Sequence, residues 1–197
     1  MKKKGLELSI NFLIIVIISI VILVMGVAFF RTLLKGAQDI KENYDQRTEE
    51  ELENLLTQGE RVAIPFPRQD ARKGDTIVFG LGIYNAIGHN WDFKVNVQCS
   101  TAFDGKTELP TACSDVFGVG KDGEIIYNTN DLPIKNNERH KMPIAIYFPG
   151  SAEVGTYIFN VCVCQQETAP VDCDDCISGS LPGNLYESVH KIYVTVK

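Results

Sequence analysis

The sequence predicts a mainly β protein: an N-terminal transmembrane helix extended into a helical stalk, followed by an antiparallel β-sandwich. Three observations predict it. Residues 8–30 form a run of 23 residues without a charge. Residues 31–58 are rich in Glu, Leu, Gln and Lys and contain no Pro. From residue 60 onward, apolar side chains recur at every second position in short runs separated by Gly, Asn, Asp and Pro.

The uncharged run is long enough to span, because a bilayer core of about 30 Å takes roughly 20 apolar helical residues. Lipid offers the backbone no hydrogen-bond partner, so the run is expected to be helical despite its Ile and Val content. Lys2, Lys3 and Lys4 precede it, whereas the charges that follow are mixed: Arg31, Lys35, Asp39, Lys41 and Glu42. Positive residues favour the cytoplasmic side, which places the N-terminus in the cytoplasm and residues 31–197 outside. The lipid bilayer is thus the first partner expected. A cleaved secretory signal fits poorly, since its apolar region would be about 7–15 residues long. Phe29-Phe30-Arg31 also makes a poor cleavage site. A plain uncleaved anchor fits well.

Lys3-Lys4-Gly5-Leu6, a short basic leader ending in Gly against the apolar run, resembles the class III signal peptide of archaeal type IV pilins. The resemblance covers the leader and the run. It implies a prepilin-peptidase-like processing enzyme cutting between Gly5 and Leu6, and copies of the chain as partners in a filament. Glu7 would stand at the second mature position, where the family usually carries an apolar or small residue; bacterial pilins place a carboxylate at the fifth. Glu7 is then a candidate assembly residue, because an ionisable group near lipid seeks a partner. The plainer reading puts Glu7, Ser9 and Asn11 at headgroup depth.

In residues 31–58, Leu33, Ala37, Ile40 and Tyr44 follow a 4-3-4 spacing, and Leu52, Leu55 and Leu56 resume a stripe. That pattern suits one buried helix face. The face leans either on the outer domain or on a neighbouring subunit. Gly59 ends the helix as a cap residue. The chain therefore divides into a basic leader (1–5), a transmembrane helix (6–30), a stalk (31–58) and one outer domain (59–197) of ordinary size.

Charge is uneven. Residues 1–30 carry three Lys and one Glu, whereas residues 31–197 carry 16 basic and 24 acidic side chains. An acidic outer domain argues against nucleic-acid binding.

Within that domain, Arg61-Val62-Ala63-Ile64 running into Pro65-Phe66-Pro67 reads as an edge strand. Ile77, Phe79, Leu81 and Ile83 alternate on one face, as do Trp91, Phe93, Val95 and Val97. Residues 100–140 are irregular, with a strand expected at 124–127. Further strands are expected over 142–148, 155–164 and 190–197. Short alternating runs with turn signals, and no helical pattern among them, predict a β-sandwich. Phe79-Gly80-Leu81-Gly82-Ile83-Tyr84-Asn85 and Gly155-Thr156-Tyr157 resemble immunoglobulin-like adhesion modules of surface proteins. The resemblance implies that the Tyr157 hydroxyl caps a corner at the start of the penultimate strand.

All six cysteines, Cys99, Cys113, Cys162, Cys164, Cys173 and Cys176, lie in the outer domain. An even count outside the cytoplasm reads as disulfides. Cys162 and Cys164 fall on the outward face of their strand, and a Cys-rich loop (162–189) brings Cys173 and Cys176 back toward them. Two staples follow, Cys162 to Cys176 with Cys164 to Cys173, or the crossed pairing. Cys99 falls on the inward side of its strand, where Cys113 could close onto it. The competing reading is four thiolates around zinc, or a redox-active Cys-x-x-Cys. Asp172, Asp174 and Asp175 suit calcium, or simply a solvated loop.

Enzyme signals are scarce. His89, His140 and His190 stand singly, and no Gly-x-Ser-x-Gly, His-Glu-x-x-His or phosphate-binding glycine loop occurs. No Asn-x-Ser/Thr sequon is present. No cofactor is expected. The expected function is non-enzymatic and structural or adhesive: a pilin-like surface subunit, or an anchored module that binds as a monomer.

Overall fold

A computed structural model of the chain describes residues 14–23, 25, 46–173, 176 and 182–197. The chain divides into two compact units, Met1–Lys41 and Glu42–Lys197.

In the first unit the described residues form a helix, α1, over 14–23. Its Ile, Val and Leu side chains are exposed all around, from Ile14 to Leu23. The transmembrane helix expected over residues 6–30 is corrected here. No helix among the described residues is long and apolar enough to cross a membrane. At about 1.5 Å per residue, ten residues reach only about half of a hydrocarbon core. The remainder of that span, with Gly5, Leu6 and Glu7, lies outside the described residues.

Of the helical stalk expected over residues 31–58, the described residues show the C-terminal part. The described helix is α2, Gln46–Thr57, and residues 31–45 lie outside the described set. α2 belongs to the second unit. Leu52 and Leu56 are fully buried and form a small cluster with Ala63, joined by Leu55 and Tyr84. Thus this part of the Leu stripe leans on its own domain. Gly59, at φ +99°, ends the helix. Its N–H donates to the Leu56 carbonyl, and that of Glu60 to the Leu55 carbonyl, the pairing of a Schellman cap. On the solvent side Lys141 pairs with Glu53 and Glu49, and Arg139 with Glu53. Hydrogen bonding to Lys141 holds the Glu53 carboxyl below the usual value.

The second unit is a two-sheet sandwich. Its strands are β1 (Val62–Ala63), β2 (Arg68–Ala71), β3 (Thr76–Tyr84), β4 (Trp91–Asp104), β5 (Thr107–Glu108), β6 (Glu124–Ile126), β7 (Leu132–Ile134), β8 (Arg139–Tyr147), β9 (Gly155–Gln166) and β10 (His190–Val196). One sheet has the order β1-β3-β8-β6; the other runs β2-β10-β9-β4-β5, with β7 also on β4. β1 and β2 sit on edges of different sheets. The Pro65-Phe66-Pro67 segment between them breaks the ladder and lets the chain change sheet.

The alternating runs do what their period requires. Phe79, Leu81 and Ile83 meet Phe93, Val95 and Val97, together with Ile144, Ile146, Phe159 and Val161, in one core. Three features depart from the sequence reading. β2 pairs with β10 in parallel, so the sandwich is not wholly antiparallel. β2, β5 and β7 are two to four residues long, too short to show a period. A short helix, α3 (Ala112–Phe117), interrupts the irregular stretch and buries Ala112 and Val116.

Candidate functional site

The start of β9 is built around Tyr157. Its ring is fully buried, and its hydroxyl donates to the Glu153 carbonyl at 3.0 Å. Burial pushes the phenol above its usual pKa. Phe117 and Phe148 meet this ring edge-on, as they do Phe159.

At its far end β9 carries Cys162 and Cys164 on the face away from the core. Cys162 is bonded to Cys176 and Cys164 to Cys173, with Cα separations of 6.0 and 5.7 Å. Although they face outward from the sandwich, these cysteines are buried, because Val171, Cys173 and Cys176 close over them to form a second small core. Side-chain amides of the underlying sheet hold the loop down: Asn96 donates to the Cys173 carbonyl at 2.5 Å and Asn160 to that of Cys176 at 2.8 Å. The third bridge, Cys99–Cys113, ties β4 to α3 across 5.6 Å at the point where the β4–β9 register shifts. All six sulfurs are therefore paired. Among the described residues no group of three His, Cys, Asp or Glu side chains is arranged to hold a metal. Asp172 is exposed, and Asp174 and Asp175 lie outside the described residues.

Two residues that no periodicity marks organise the end of the sandwich where β9 finishes. Asn85 is fully buried; its amide donates to the His89 and Ile134 carbonyls, and its Oδ1 accepts from the Ile87 N–H. The Tyr186 hydroxyl donates to the Tyr84 carbonyl at 2.6 Å and accepts from the Ala86 N–H. Burial raises its pKa also. Tyr186 also packs edge-on against Phe93 of β4, and with its bond to Tyr84 of β3 it ties the end of the Cys-rich loop to both sheets.

Beside this end lies an open cleft of about 320 Å³, lined by Asn90, Trp91, Asp92, Pro133, Lys135 and Glu167. Trp91 pairs with Ile134, and Asp92 with Pro133, across β4 and β7. Trp91 is partly exposed, yet its indole Nε1 is shielded from solvent and has no hydrogen-bond partner among the described residues. The exposed His89 ring tilts against the indole at 5.4 Å. His140 and His190 stand elsewhere, on β8 and at the start of β10.

No family profile and no curated protein matches the chain. Several solved structures align with the chain at low identity. PapD-like domain 7 of human CEP192 aligns at 13% identity and TM-score 0.43, over 70% of this chain and 85% of that one. A FixG-related protein from Vibrio parahaemolyticus aligns at 7% identity and TM-score 0.40, over 70% and 98%. Domains 4 and 5 of the S-layer protein SbsC align at 10% identity and TM-score 0.35, over 70% and 51%. Likeness at this level assigns no function.

Proposed function

We propose that this chain is a non-enzymatic extracytoplasmic surface subunit, pilin-like in character, that associates with copies of itself through its apolar N-terminal helix. The observation that carries the reading is α1. A helix hydrophobic all round needs cover, and its Ile14, Ile15, Ile18, Ile22 and Leu23 are exposed, with no cover among the described residues. Copies of the same helix supply a surface of matching chemistry. The three disulfides support an oxidising, extracytoplasmic location. The leader reading adds cleavage between Gly5 and Leu6, with Glu7 acting in assembly.

The test is direct. Material sheared from intact cells should contain filaments of this chain visible by electron microscopy, and N-terminal sequencing should begin at Leu6. Replacing Gly5 by a bulky residue should abolish both. A chain that keeps Met1 and remains monomeric would overturn the reading and leave a monomeric binding module.

A further inference from the structure

We propose that the cleft beside Trp91 binds one sugar ring of a glycan. This goes beyond the assembly reading and does not rest on it. The cleft, about 320 Å³, sits at the small end of ligand sites, which run from about 300 to 1,000 Å³. Trp91 is partly exposed while its Nε1 is not. What the indole offers is therefore carbon surface, which suits the C–H face of a pyranose. Pro133 adds a second apolar wall.

The polar groups are mixed in sign. Asp92 and Glu167 are acidic and Lys135 is basic, so the site favours neither a strong anion nor a strong cation. A neutral polyol uses both kinds of group, donating to carboxylates and accepting from an ammonium. Two of the side chains are held in place: Asn90 accepts from the Asn136 N–H at 3.0 Å, and Asp92 from the Ala169 N–H at 3.1 Å. Groups fixed in advance lose little entropy on binding. Lys135 and Glu167 are exposed, and among the described residues neither the Lys135 Nζ nor the Glu167 carboxylate has a side-chain partner, so both can meet a ligand.

Trp91 is the single Trp of the chain, so its emission reports on this cleft alone. The full-length chain is titrated with the methyl glycosides of glucose, galactose, mannose and N-acetylglucosamine. At least one should give a saturable shift in emission, with a Kd near about 1 mM. Lys135→Ala and Glu167→Ala remove exposed side chains and should keep the near-ultraviolet dichroism of the native fold. Each should weaken binding about tenfold, a loss that marks a direct contact. No saturable change with any glycoside, or unaltered affinity in both variants, overturns the proposal. So does saturation by inorganic phosphate alone.

Discussion

Leu56 of α2 lies directly over Gly82 of β3: a β-carbon built on Gly82 would come within 2.8 Å of Leu56 Cδ1. Leu52 Cδ1 would be 2.9 Å away. The helix docks on this face of the sheet because position 82 carries no side chain. Gly82→Ala places a methyl against Leu56 Cδ1 and against Cδ1 and Cγ of the fully buried Leu52, and should cost about 1 kcal/mol, the lower part of the overpacking range. Gly82→Val should cost about 3 kcal/mol, the upper part of the overpacking range. Hydrogen exchange should show Gln46–Thr57 losing protection in Gly82→Val while β8 and β9 keep theirs. Retained protection over α2 would contradict this account of the contact.

Removing the Tyr157 hydroxyl deletes one hydrogen bond to Glu153 while keeping the ring. Tyr157→Phe should lower stability by about 1 kcal/mol, measured by urea titration at neutral pH. An unchanged midpoint would show that the corner bond contributes nothing.

Alkaline pH tests both buried tyrosines. Their folded-state pKa values are raised, first by burial, above the ordinary value of 10.0. The unfolded chain therefore releases these protons first. Their contribution is fully present below pH 10 and is lost as pH rises through the folded values. Melting curves from pH 8 upward should fall steeply above about pH 10, and the double variant Tyr157→Phe/Tyr186→Phe should flatten that fall.

The Cys-rich loop should depend on its staples. Cys162 and Cys176 are separated by 14 residues, a loop whose closure is worth about 3 kcal/mol in the chain-entropy view. Replacing Cys162 and Cys176 together by Ala should make the segment after β9 sensitive to protease while the main sandwich persists. Alkylation of the unreduced wild-type protein should label no thiol, and any labelled cysteine would break the assigned pairing.

Asn85 is a test of polar burial. It meets three backbone groups from a fully buried position. Asn85→Ala strands them and should cost about 2–3 kcal/mol, read as a shift in thermal midpoint. Asn85→Asp should fare no better, because a carboxylate cannot donate to the His89 and Ile134 carbonyls.

Much of the sandwich was legible because its signal is local. Strand alternation needs only the residues of one strand, and residues 76–84 and 91–97 display it whatever lies opposite. The even cysteine count, in the same way, needs no geometry to suggest oxidation. The short strands β2, β5 and β7 gave no such signal, since two to four residues cannot establish a period. α3 was hidden in a stretch dense in Gly, Asp and Thr.

What tertiary structure decided were relationships between distant residues. Cys162 and Cys164 read as outward-facing, and they are, but only the returning loop shows that this outer face is itself buried. Gly82 looked like part of a strand motif, and only the position of Leu52 and Leu56 gives its missing side chain a purpose. The apolar run showed its hydrophobicity plainly, whereas the extent of helix it forms depends on backbone geometry that composition does not carry. Tyr186 and Asn85 act on partners outside any repeating pattern. Composition and period are properties of neighbours along the chain; pairing, cover and register are set by which surfaces meet when the chain closes on itself.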